Sequence, residues 1–243
     1  MTGNAPMTDV LPVPRPDREV GPLARALSRA IPGVATTVAQ VSAYARYWDE
    51  HNHSTVTGPG TEPWFVVMGD STAQGVGAAH PRGGWAGQLH DRLSAAGRPH
   101  RLLNLSVSGA RTGDLIDVQL HRYEAFLDHV GTPALTVVEI GANDAFASVN
   151  VAAIRRNLTT IAERLPSGSV LSLLPVAGPA TVSRMANATV RRLAQQHRLV
   201  VGDIGRHSRP RRDRLGADAF HPNELGYGEW ARGLAESIGI SAG

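Results

Sequence analysis

The sequence predicts an α/β domain in which a five-stranded parallel sheet is covered by helices on both faces. Two observations predict it. Five short runs rich in Val, Leu and Ile recur along the chain, each too short for a helix and none alternating with polar residues. Between consecutive runs lie longer segments whose apolar residues repeat at three and four. Strand followed by helix, five times over, buries each strand on both faces, which is the pattern of a parallel sheet and not of hairpins.

The elements follow in order. Met1 to Pro22 is rich in Pro and polar residues without apolar period, and reads as a disordered tail. Residues 23–60 read as a helical extension and linker: Val34, Val38, Val41, Ala45 and Trp48 form an amphipathic stripe, and Gly58-Pro59-Gly60 breaks the chain. The helix is expected to dock on the domain and not on a membrane surface, because its polar face carries little positive charge. Residues 61–243 form the domain. Its strands are expected at Trp64 to Met68, Leu102 to Val107, Leu135 to Ile140, Val170 to Leu174 and Leu199 to Ile204. The helical stripes are Trp85, Leu89, Leu93; then Leu120, Tyr123, Leu127, Val130; then Val151, Ile154, Leu158, Ile161, Leu165. Met185 to His197 and Leu225 to Ile238 complete the set.

Composition narrows the chemistry. The chain has 243 residues, 42% of them hydrophobic, enough for a full core. It has no cysteine, so disulfides, thiolate catalysis and Cys-ligated metals are excluded. All 24 basic residues are Arg, and the net charge of +3 is too small a surplus to suggest a nucleic-acid partner. No run approaches the length of a membrane span, and Asp9, Asp17 and Glu19 are unlike a secretory n-region; a cytoplasmic location without stable membrane insertion is expected. The ten histidines show no zinc-binding spacing, and neither metal nor cofactor is expected.

In open parallel sheets, ligands bind beyond the carboxyl ends of the strands. Strand one ends in Gly69-Asp70-Ser71, and strand two contains Asn104 and runs into Ser108-Gly109-Ala110. Strand three ends in Gly141-Ala142-Asn143-Asp144, and strand five leads through an Arg-rich loop to Asp218-Ala219-Phe220-His221. Each piece alone is ordinary turn chemistry. Together they collect reactive and small residues on one edge of the sheet.

These four segments resemble the signature blocks of the SGNH, or GDSL-type, hydrolases, and the context Gly69 to Gly77 and His221-Pro222-Asn223 resembles actinobacterial members. The resemblance spans roughly Trp64 to Ile238. It implies a three-layer α/β/α flavodoxin-like fold and serine-dependent hydrolysis of carboxylic esters through an acyl-enzyme. It also implies roles that residue chemistry supports. Ser71 is the nucleophile and His221 its general base, with Asp218 fixing the imidazole tautomer. The backbone N–H groups of Ser71 and Gly109 and the Asn143 amide form the oxyanion hole. A small-molecule, lipid or sugar ester is the expected substrate. Asp70, Asp144 and Asn104 are expected to tie the loops beneath the site.

Other readings stay open at this stage. The same residues would serve acyl transfer to an alcohol. A binding module of the same shape would need no chemistry, and Asp70 with Asp144 could suggest a paired-carboxylate glycosidase. Arg206, Arg209, Arg211, Arg212 and Arg214 read either as a solvated loop or as a patch for anionic substrates, and His80 as a surface, core or pocket residue.

Overall fold

The computed structural model describes residues 32–147, 150–175, 180–208 and 211–240. The expected tail, Met1 to Pro22, lies outside them, as does Arg209. Five strands form one parallel sheet: β1 (Trp64–Gly69), β2 (Arg101–Asn104), β3 (Leu135–Glu139), β4 (Val170–Ser172) and β5 (Val200–Gly202), in the order β2-β1-β3-β4-β5. The helices are α1 (Pro32–Thr57), α2 (Ser71–Gln74), α3 (Trp85–Ala95), α4 (His121–Val130), α5 (Ala142–Ala147), α6 (Val151–Arg164), α7 (Ala180–His197) and α8 (Glu224–Ser237).

Successive residues of a strand point to opposite faces, and the core divides accordingly. Val66 and Met68 of β1 pack with Tyr123 and Phe126 of α4, Ile154 and Leu158 of α6, and Val190 of α7. Phe65 and Val67 point the other way, onto Trp48 of α1, Trp85 and Leu89 of α3, and Tyr227 and Leu234 of α8. The sheet is therefore sandwiched between two helical layers.

Three strands end two or more residues sooner than their apolar runs. β2 stops at Asn104, not Val107, although Leu105 and Val107 still donate their N–H to Val67 O and Gly69 O. Beyond the ladder, side chains take over: Asn104 Oδ1 accepts from Ser106 N at 3.1 Å and Ser106 Oγ at 2.6 Å, and its Nδ2 donates to Ala73 O at 2.9 Å. β4 and β5 likewise stop at Ser172 and Gly202, freeing Leu173, Leu174 and Ile204 to line a cavity.

A π-helical turn, Leu115–Leu120, precedes α4. Such turns shift a side chain out of helical register. Here Gln119, fully buried, accepts from Gly69 N at 2.9 Å and donates to Gly69 O at 2.8 Å, closing the end of β1 like a further strand.

Candidate functional site

The site starts where β1 ends. Asp70 is the N-cap of α2, its Oδ1 accepting from Thr72 N at 2.9 Å, and this turns the chain so that Ser71 opens the helix. Gly75, at φ +84°, ends the turn and donates back to it.

The imidazole arrives from the far end of the chain. Ser71 Oγ lies 2.9 Å from His221 Nε2, and His221 Nδ1 lies 2.6 Å from Asp218 Oδ2. The other Asp218 oxygen accepts from the N–H groups of Phe220 and His221, both at 3.0 Å. Burial alone would push the Asp218 carboxyl up. The hydrogen bond from His221, the imidazole charge and the two N–H groups outweigh it and hold the carboxyl at about 2. Gly77, at φ +99°, lets the first loop press against this turn: a Cβ there would stand 2.5 Å from Pro222 O and 2.7 Å from His221 Cβ.

That depressed value has a stability consequence. Asp218's ordinary value is 3.8, so its ionised form contributes stability fully present above that pH and lost as the pH falls through about 2. In urea unfolding, the stability gap between wild type and Asp218→Asn is expected to narrow by about 2 kcal/mol between pH 5 and 2. A constant gap would show that Asp218 is not held by these donors.

Asn143 reaches the loop that carries Gly109. Its Nδ2 donates to Ala110 O at 2.9 Å and to Asp70 Oδ2 at 3.1 Å, so both amide protons are engaged. Gly109 adopts φ +76° with open space where a Cβ would stand. Hydrogen bonds among the described residues leave the N–H groups of Ser71 and Gly109 unused. The loops are stitched together: Asp144 accepts from Thr112 N at 2.9 Å and Thr112 Oγ1 at 2.7 Å, and Gln74 holds Ser106 O and Ser108 Oγ.

Ser71, Asn143 and His221 line a cavity of about 810 Å³ with Phe146, Leu173, Leu174, Ile204 and Trp230. Gly109 and Asp218 do not line it. Phe146 and Phe220 stand half exposed, ring centroids 4.8 Å apart, with Phe220 edge-on to the His221 ring. Arg206, Arg211, Arg212 and Arg214 also reach the cavity. Arg206 pairs with Glu236, Arg211 with Asp213, and Arg214 with Asp213 and Glu229, so much of that charge is already neutralised. His80 is exposed, 3.5 Å from Glu224, and does not line the cavity. Among the described residues no group of three or more His, Asp or Glu is placed to hold a metal ion.

Residues 67–228, two thirds of the chain, match the GDSL-like lipase/acylhydrolase family. The chain belongs to that family. Esterase TesA of Pseudomonas aeruginosa is 33% identical over 100 residues, 41% of this chain. The match spans 47% of that protein's length, about half of the curated relative. Among solved structures, the psychrotrophic esterase EstA from Pseudoalteromonas sp. superposes with a TM-score of 0.59 at 22% identity, covering 73% of this chain and 97% of that one. An acetyl xylan esterase from Geobacillus stearothermophilus gives 0.60 at 20% identity, covering 76% and 98%. These likenesses show that the fold is shared with both of those esterases.

The match to the GDSL-like family leaves out α1, yet α1 touches the site from behind. Thr37 Oγ1 donates to Asp218 Oδ2 at 2.9 Å. Gln40 Oε1 accepts from Gly77 N, and Gln40 and Tyr44 both donate to Ala78 O. Trp48 Nε1 donates to Gln74 O, and Asn52 bonds both N–H and C=O of Asn104. The described residues lining the cavity include none from α1, so this helix is a buttress and not a lid. Sequence reading missed these contacts because it followed Val, Ala and Trp; the polar residues at 37, 40, 44 and 52 keep the same helical spacing and were the available signal. It also passed over Glu139, a lone acid in the apolar run Leu135 to Ile140.

Proposed function

We propose that this GDSL family member hydrolyses carboxylic esters through an acyl-enzyme on Ser71, acting on small-molecule, lipid or sugar esters. The observation that carries the reading is the continuous relay Ser71 Oγ, His221, Asp218 with separations of 2.9 and 2.6 Å. His221 Nε2 takes the hydroxyl proton as Ser71 Oγ bonds to the ester carbonyl carbon. The carbonyl oxygen becomes an oxyanion met by the N–H groups of Ser71 and Gly109 and by Asn143 Nδ2. The C–O bond to the alcohol breaks, and the alcohol leaves with the proton from His221. Water then attacks the acyl-enzyme with His221 as base, releasing the acid and restoring Ser71. Asp218, ionised at working pH, holds Nδ1 protonated throughout. The apolar cavity wall suits the acyl or alcohol part of the substrate, and its volume falls in the range of small-molecule sites.

The test is hydrolysis of p-nitrophenyl esters from acetate to palmitate, alongside labelling with a serine-directed fluorophosphonate. Turnover within the series and one label per chain, mapped to Ser71, are expected. A folded protein that neither turns over nor labels would overturn the reading.

A further inference from the structure

Beneath the site lies a carboxyl that the relay does not use. Glu139, the last residue of β3, is completely buried. Its Oε2 lies 2.6 Å from Thr72 Oγ1, while its Oε1 is buried with no hydrogen-bond partner among the described residues. The same Thr72 hydroxyl lies 3.0 Å from Asp70 Oδ1.

A hydroxyl has one proton to give. If both carboxyls were ionised, two charged acceptors would compete for it, and one charge would rest on a group with a bare oxygen out of water. A second proton satisfies both contacts. Donors decide which carboxyl carries it. Asp70 receives Thr72 N at Oδ1 and Asn143 Nδ2 at Oδ2, besides the hydroxyl. Glu139 faces Thr72 alone. Charge therefore belongs on Asp70 and the proton on Glu139. The chain of donation runs from Glu139 Oε2 to Thr72 Oγ1, from Thr72 Oγ1 to Asp70 Oδ1, and from Asn143 Nδ2 to Asp70 Oδ2.

We propose that Glu139 acts as a neutral carboxylic acid, a positioning residue that donates to Thr72 and so fixes the Asp70 carboxylate that orients the Asn143 amide. This rests on the reading of Asn143 as an oxyanion donor. It assigns Glu139 no contact with substrate.

The surroundings agree. Burial, and then the Asp70 charge, push the Glu139 carboxyl well above its ordinary 4.5, against a smaller opposing effect of Thr72. The titratable groups facing the pair are Tyr227 on α8, itself raised by burial and these carboxylates, and at Asp70 the imidazole of His221 and the carboxyl of Asp144. Burial raises the Asp70 carboxyl as well, but the Thr72 hydrogen bonds and the His221 imidazole oppose that rise, whereas Glu139 is pushed well above its ordinary value.

Two variants test this. In Glu139→Gln an amide N–H replaces the acid proton as donor to Thr72 and cannot titrate. Its kcat is expected within about threefold of wild type. Glu139→Leu keeps the bulk but removes the donor; its kcat is expected to fall about ten- to a hundredfold with KM little changed, below the ~10²–10³ of losing an oxyanion donor outright. Stability gives an independent readout. Above pH 4.5 the unfolded chain releases the Glu139 proton and the folded chain keeps it, so stability falls as pH rises. The unfolding constant of wild type relative to Glu139→Gln is expected to grow toward tenfold per pH unit above that value. A flat ratio from pH 5 to 8, or a Gln variant as impaired as the Leu variant, would overturn the proposal. If the Leu variant does not fold, the pH slope between wild type and Glu139→Gln together with the retained kcat of Glu139→Gln still decides it. Absence of esterase turnover in wild type overturns the functional reading instead, and the slope still reports whether the buried pair keeps a proton.

Discussion

Ser71→Ala is expected to lower kcat by roughly 10⁴–10⁶-fold while leaving the fold and KM nearly unchanged. The asymmetry follows from what the hydroxyl touches. Ser71 Oγ bonds His221 Nε2, whereas the turn that presents it is held by the Asp70 cap, by Gly75 and by Gln119 beneath Gly69. None of those contacts involves Oγ. The residual rate is what the oxyanion donors and the cavity give without a nucleophile. Steady-state hydrolysis and urea unfolding of the same preparation check both halves. Retention of more than about one per cent of activity would mean that His221 activates water directly. A glycosidase-like pair at Asp70 and Asp144 has little support in the geometry, because Asp144 spends both oxygens on Thr112 and Asp70 spends both on Thr72 and Asn143.

Trp48→Ala is expected to have the largest effect on stability, about 3–5 kcal/mol, through a residue outside the family match. Trp48 is 2% exposed, packs edge-on to Tyr47 and His51, and donates Nε1–H to Gln74 O at 3.0 Å. Alanine leaves a cavity and strands a buried carbonyl. Trp48→Phe keeps most of the packing and loses the hydrogen bond, about 1 kcal/mol. The loss also reaches the site, since Gln74 holds Ser106 and Ser108 on the second loop. Urea unfolding of the three proteins measures it. A deficit below about 1 kcal/mol for Trp48→Ala would make α1 a dispensable appendage.

The sheet was legible because buried parallel strands have a simple signature, and all five runs became strands. Their ends were harder to read, because Leu173, Leu174 and Ile204 continue an apolar run while leaving the ladder to face the cavity. The residues at the strand ends could be read as a group, since reactive types at one sheet edge have few structural reasons to coincide. What supports them could not. The expected stripe on α1 ran through Val34, Val38, Val41, Ala45 and Trp48, whereas among residues 35–57 the buried ones are Tyr44, Trp48, Asn52 and Val56. A helix lying on loops must satisfy loop N–H and C=O groups, so its inner face has to be part polar. The π-turn that aims Gln119 has no periodic signature, and Thr72 was hidden beside Ser71, which it follows.

Ser71 and His221 stand 150 positions apart, and the turn carrying His221 packs against the first loop at Gly77. Synthesis therefore delivers Ser71 well before His221. A ribosome-bound chain that has not yet extruded the turn carrying His221 holds Ser71 without its imidazole partner, and on the proposed mechanism it is silent toward esters. Recovery of esterase activity on refolding is then expected to time the seating of that turn against Gly77, not the collapse of the sheet.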